Sequence, residues 1–228
     1  MKRETLDRVL AARDERRPIA LLRWLATQRQ ELAPPDATGL EAGLADAVGQ
    51  ALRGDRALTL ETPDGRIFVQ PFNPPLRMLI VGAVHIAQHL APMARSAGYQ
   101  VTVIDPRGAF ATPARFPDVA LSGAWPDQAL AEIGIDARCA VVTLTHDPKL
   151  DDPALQAALA SDAFYIGSLG SRRTHARRLE RLRLQGQDDR TLDRIHAPVG
   201  LDIGARSPAE IAVSILAQVT LRLRTGSA

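Results

Sequence analysis

Residues 76–107, LRMLIVGAVHIAQHLAPMARSAGYQVTVIDPR, read as strand, glycine turn, helix and strand. Met78 to Val81 is an unbroken apolar run, the pattern of a strand covered on both faces, and Gly82 ends it. His85 to Ala97 sets Ala87, Ala91 and Ala94 on one face, so a helix here can lie close on a sheet; Gly98 then stops it. Gln100 to Ile104 forms the second strand, with Asp105 at its tip. This is a βαβ unit of the dinucleotide-binding kind, in which an acidic residue at the place of Asp105 ordinarily bonds a ribose hydroxyl. The fingerprint Gly-x-Gly-x-x-Gly/Ala is met at Gly82 and Ala87 but not between them. Val84 stands where a middle glycine lets pyrophosphate approach the backbone, which argues against ordinary NAD(P) binding.

The remaining chain extends this unit. Val119 to Leu121, Arg138 to Leu144 and Ala163 to Ile166 read as further strands, and Asp127 to Ile133, Pro153 to Ala160 and Arg172 to Leu184 as helices. Phe110 to Pro117 is an irregular crossover, and Ile195 to Gly204 a loop or short strand. Ser207, Pro208 and Glu210 form a capping box that opens a last helix, whose apolar stripe is Ile211, Ile215, Leu216, Val219 and Leu223. The alternation predicts an α/β fold: a Rossmann-like parallel sheet with helices on both faces, over residues 76–228. Residues 1–75 differ and predict a small N-terminal α+β domain. It contains helices at Glu4 to Arg13 and Glu41 to Arg53, a segment from Pro18 to Thr27 that reads as a strand, with a second helix as the alternative, and a hairpin about Pro63-Asp64-Gly65; Pro71, Pro74 and Pro75 make a linker.

Bulk properties exclude several classes. At 228 residues the chain has length for a proper core, and a net charge of +2 demands no nucleic acid. Its one cysteine, Cys139, allows neither an internal disulfide nor a cysteine zinc cluster. No run is long enough to cross a membrane and MKRETLDRVL is not a signal peptide, so a cytoplasmic protein is expected.

Ligands of open parallel sheets bind at the carboxyl ends of the strands. Four groups collect there: Gly82, Val84 and His85; Asp105 and Arg107; His146 and Asp147; and the stretch Gly167, Ser168, Gly170, Ser171, Arg172 and Arg173. In the last group, glycines free backbone amides, serines add donors, and a helix opens with two arginines that oppose its dipole unless an anion is bound. That points to a phosphate-type site; a solvated basic helix is the alternative, and it is the expected state of Arg177, Arg178, Arg181 and Arg183. His146-Asp147 reads equally as a base or ligand contact and as a helix cap beside an exposed histidine.

The segments GAVHIAQHLA, VTVIDPRGAFATPARFP, TLTHDPKLDDPAL, YIGSLGSRRTHARRLERL and HAPVGLDIGARSPAEIAVSILA together resemble the XdhC/CoxI family. These are accessory proteins of xanthine dehydrogenase and related molybdenum hydroxylases. The resemblance spans residues 76–224. It implies a chaperone that carries molybdenum cofactor (molybdopterin) rather than using it. It also implies shelter during sulfuration, delivery to an apo molybdenum hydroxylase, contact with a cysteine desulfurase, and a homodimer. Two departures stand out. Val84 replaces the second glycine of the family's Gly-Ala-Gly-His loop, and LLRWLATQRQELAPP lacks both the Gly-Ser-x-Pro-Arg loop and the glycine-rich cysteine segment usual in the N-terminal domain. Two other readings follow from the residues: an NAD(P)-binding oxidoreductase or nucleotide sensor built on the βαβ unit, and an interaction protein with a decayed site.

Overall fold

A computed structural model describes residues 2–225. The chain divides into two compact units, Met1–Pro74 and Pro75–Ala228.

In the first unit, helix α1 (Arg3–Asp14) is followed by β1 (Ile19–Trp24), β2 (Gln30–Ala33), α2 (Ala42–Gly54), β3 (Leu58–Thr62) and β4 (Gly65–Phe72). The strands form an antiparallel sheet in the order β2-β1-β4-β3. Ala20 and Leu22 of β1 and Ile67 and Val69 of β4 alternate inward, and they meet Val48 and Ala51 of α2. The hairpin turns where Thr62 pairs with Gly65, which takes φ +107°, a conformation a glycine adopts without cost. Strand β2 has no counterpart in the sequence reading: QELA is short, polar and at the sheet edge, so it carries no periodicity to read.

The second unit runs β5 (Arg77–Val81), α3 (His85–Ser96), β6 (Gln100–Ile104), β7 (Ala120–Ser122), α4 (Pro126–Ile133), β8 (Cys139–Thr143), α5 (Pro148–Leu159), β9 (Tyr165–Ser168), α6 (Arg172–Leu184), α7 (Asp189–Leu192), β10 (Ile195–His196) and α8 (Pro208–Thr225). Its six strands lie in the order β10-β9-β8-β5-β6-β7, every pair parallel. The order reverses between β5 and β8, as in doubly wound Rossmann-type sheets. Alternate residues of each strand feed opposite faces. Met78, Ile80 and Val142 pack with Leu90 of α3 and Ile215 of α8; Leu79, Val81 and Val141 pack with Leu130 of α4, Leu155 of α5 and Leu182 of α6. The capping box of α8 forms as read: the Ser207 amide donates to Glu210 Oε2 at 2.8 Å, and the Glu210 amide donates to Ser207 Oγ at 3.3 Å.

The structure departs most from the sequence reading at α5, β9 and α7. Helix α5 starts at Pro148, not Pro153, because Asp147 caps it and Pro148 fills its first position. Pro153 then lies inside the helix, where it removes one hydrogen bond without ending it. Strand β9 runs to Ser168, because Gly167 and Ser168 pair with Val142 and Thr143 of β8. The short α7, absent from the sequence reading, is set by Asp188, whose carboxylate accepts the Thr191 amide at 2.7 Å.

Candidate functional site

The turn after β5 lies at the switch point. Gly82 takes φ +109°, and a Cβ there would stand 2.5 Å from Thr145 Cγ2, so the turns after β5 and β8 touch with no room for a side chain. Val84 caps α3 without a side-chain bond and is half-buried; His85 opens the helix and is exposed. Behind the turn, Asp105 is fully buried, and each of its oxygens accepts two hydrogen bonds. Oδ2 accepts from the Ala83 amide and Arg107 Nη2, both at 2.8 Å, and Oδ1 from the Arg107 amide at 3.0 Å and Arg107 Nε at 2.9 Å. Burial would raise the Asp105 carboxyl, but the Arg107 guanidinium and the Ala83 amide outweigh it and hold it below its ordinary value. The place where a ribose diol is ordinarily bound is therefore filled by the protein's own arginine. Arg107 in turn stacks over Phe110 at 4.7 Å, and Arg115 ties the crossover to α3 through the Phe110 carbonyl and Gln88.

After β8, His146 holds φ +61°, a left-handed conformation uncommon outside glycine, and the residue is exposed. Asp147 is a helix cap: its carboxylate accepts the Lys149 amide at 3.0 Å. Thr145 Oγ1 donates to Asp151 Oδ1 at 2.6 Å, anchoring the turn to α5.

The fourth group is split. Gly167 and Ser168 lie inside the sheet; Ser168 shares a 2.6 Å hydroxyl pair with Thr143, and a Cβ on Gly167 would lie 2.6 Å from Val199 Cγ2. They brace the strand and do not present donors at its end. Gly170, Ser171, Arg172 and Arg173 do reach the edge. Ser171 caps α6 by accepting the Thr174 amide at 3.1 Å, and both arginines are exposed.

Along the N-terminal parts of α5 and α6 lies an open cleft of about 450 Å³, lined by His146, Pro148, Asp151, Arg173, Arg177 and Arg178 among others. The solvated state expected for the later arginines holds for neither Arg178 nor Arg181. Arg178 is 2 % exposed, because its position on α6 shares a face with Leu182 and turns toward α5. Its Nη2 donates to the Leu169 carbonyl at 2.9 Å and stands 3.7 Å from the buried Asp151 Oδ2. Arg178 Nε and Nη1 and Asp151 Oδ2 are buried without a hydrogen-bond partner. Burial lowers the Arg178 value and raises that of Asp151. Arg181 grips Asp152 at 2.6 and 2.9 Å. Sequence reasoning missed Asp151 and Arg178; the one available signal was the Arg178–Leu182 spacing within an otherwise charged helix.

Fold and edge together define a doubly wound Rossmann-type domain whose ribose-binding acid is closed by an internal ion pair. The chain belongs to the XdhC family: residues 78–219 match the family model of the XdhC Rossmann domain. It is 36% identical over 154 residues to a Bacillus subtilis protein named as a probable xanthine dehydrogenase subunit, with 67% of this chain and 44% of the relative covered. It is 36% identical over 148 residues to the molybdenum cofactor insertion chaperone PaoD of Escherichia coli, covering 65% of this chain and 40% of PaoD. The chain thus spans less than half the length of these relatives. A crystal structure described as a xanthine dehydrogenase from Bacillus halodurans superposes with a TM-score of 0.71 at 25% identity, covering 99% of this chain and 65% of the other. Among the described residues, no helix is long and apolar enough to cross a membrane.

Proposed function

We propose that this chain is a cytoplasmic accessory protein that binds molybdenum cofactor and assists its sulfuration and insertion into a xanthine dehydrogenase-type apo-enzyme. In this reading the chain carries the cofactor and does not turn it over, and a cysteine desulfurase and a second copy of the chain are partners. The observation that carries the reading is the match of residues 78–219 to the XdhC Rossmann domain. The relatives named for cofactor insertion and for xanthine dehydrogenase support it.

The residues present fit such a group. Molybdopterin is anionic through its phosphate, and the edge offers Gly170, Ser171, Arg172 and Arg173 at the start of a 13-residue helix with no acid in its first turn. Buried guanidinium nitrogens of Arg178 still lack acceptors nearby. Gly82, Val84 and His85 follow β5, and His146 and Asp147 follow β8, the two strands between which the order reverses. When bound, the cofactor supplies molybdenum redox chemistry to its eventual host; the chain's own residues bind and orient it. The alternative NAD(P) reading needs Asp105 open to a ribose, whereas all four of its hydrogen bonds are spent on Ala83 and Arg107.

Anaerobic binding of molybdenum cofactor, with NAD and NADP titrated in parallel, tests the reading. Cofactor binding without nucleotide binding is expected, and Arg172→Ala with Arg173→Ala should weaken it while the fold persists. Nucleotide binding alone, or binding of neither, overturns it.

A further inference from the structure

We infer that the cleft between α5 and α6 is a pocket for a phosphate-monoester dianion, with buried Arg178 as its floor and Asp151 as the group the ligand displaces. The inference rests on the cofactor reading for the identity of the ligand, and not for the anion site itself.

Arg178 is the starting point. A guanidinium offers five N–H donors and is seldom buried without acceptors for them. Here one nitrogen is satisfied by the Leu169 carbonyl, while Nε and Nη1 have no partner. The nearest carboxylate oxygen, Asp151 Oδ2, stands 3.7 Å away, too far for a hydrogen bond, and is itself unpartnered. Two opposite charges that close the fold for stability alone would be expected to meet at hydrogen-bond distance, as Arg181 and Asp152 do on the next turn. The loose pair instead leaves a cation short of acceptors at the floor of a solvent-open cleft.

The walls complete the site. Arg173 and Arg177 project from α6 into the same cleft, and among the described residues neither has a carboxylate partner. His146 borders the mouth, held by its left-handed backbone. The start of α6 adds its dipole and its first-turn amides. Arg173, Arg177 and Arg178 face a single carboxylate, Asp151, since Arg181 is neutralised by Asp152. The pocket thus carries an excess of positive charge that suits a terminal phosphate. A volume of about 450 Å³ also leaves room for the body of a larger ligand beyond that group. Asp151 competes with the ligand: its carboxylate stands 3.7 Å from Arg178, and an incoming phosphate takes over its charge role.

The test is a titration of the full chain with inorganic phosphate, followed by the ¹H–¹⁵N signal of Arg178 Nε. A shift of that signal and saturable binding are expected, with chloride giving neither. Arg173→Ala with Arg177→Ala, both exposed, should weaken phosphate about tenfold or more. Asp151→Asn, which keeps an oxygen for Thr145, should tighten it several-fold. Absence of a shift up to about 50 mM phosphate, or unchanged affinity in the double variant, overturns the pocket. If Asp151→Asn weakens binding in a folded protein, the displacement role fails. Phosphate binding without cofactor binding would refute the cofactor reading and leave the pocket standing; the converse would do the opposite.

Discussion

Replacing Asp105 by asparagine tests whether the internal ion pair, rather than a ligand, holds the switch-point turn. The substitution keeps shape and removes charge. The four donors reach the carboxylate as two pairs: Ala83 N–H with Arg107 Nη2 on Oδ2, and Arg107 N–H with Nε on Oδ1. An asparagine must turn its amide nitrogen toward one pair. Turned to the place of Oδ2, it strands the buried Ala83 amide, at about 1–3 kcal/mol. Turned to the place of Oδ1, it loses bonds to Arg107, whose side chain is 39% exposed and recovers water in part. The second orientation is cheaper, and the expected loss is about 2 kcal/mol after solvent screening of the arginine. Urea unfolding, read by Trp125 fluorescence in a Trp24→Phe background, isolates the second unit. With a slope of about 2 kcal/mol per molar urea, the midpoint should fall by about 1 M. Acid should erase the difference. Asp105 is held below its ordinary value, so its contribution is full above the unfolded value of about 3.9 and is lost as pH falls through the lower folded value. A midpoint change under about 0.2 M at neutral pH, or a difference that persists in strong acid, would refute the argument.

Three further outcomes are expected. Gly200→Ala should cost at least about 2 kcal/mol, because Gly200 holds φ +97° and its new Cβ would lie 2.0 Å from Ser214 Oγ; Ser214→Ala should rescue only part of it in thermal melts, since the Ile215 amide lies 3.2 Å away. Arg178→Met alone should cost about 3–5 kcal/mol by leaving buried Asp151 without a cation, and adding Asp151→Leu should recover only part of that in a double-mutant cycle, since Thr145 loses its acceptor. His196, held down first by burial and then by Arg222, should titrate at about 4 in NMR, not near 6.5. Stability supplied by its neutral ring is then full above about 6.5 and declines as acid takes pH down toward 4.

The βαβ unit was legible because its signals are local: an apolar run, a glycine, an alanine face and an acid, all within residues 76–107. The capping box of α8 was legible for the same reason. What escaped depends on which partner a side chain takes in the folded chain, near or distant. Asp105 was read as facing a ribose because its position promises that, yet Arg107, two residues on, folds back to take it. Arg178 looked like one solvated cation among several because Asp151, on another helix, carries no mark of its role in the sequence. Gly167 and Ser168 looked like loop residues because serine and glycine are turn formers; pairing with β8 draws them into the sheet. The start of α5 was obscured by Pro153, since a single proline within a helix and a proline at its start look alike until the cap at Asp147 is seen.

The packing of α8 beside α3 fixes an order of events during synthesis. Met78, Ile80 and Leu90 emerge from the ribosome early, yet Ala212, Ile215 and Val219, which cover the same face, are among the last residues of the unit to be made. Until then α3 alone covers that face, its flank toward α8 stays bare, and closure waits on a contact between segments far apart in the chain. Such long-range closure is slow and exposes the intermediate to aggregation. A stop codon anywhere before residue 208 would leave the flank of α3 and the part of the sheet that α8 covers exposed for good.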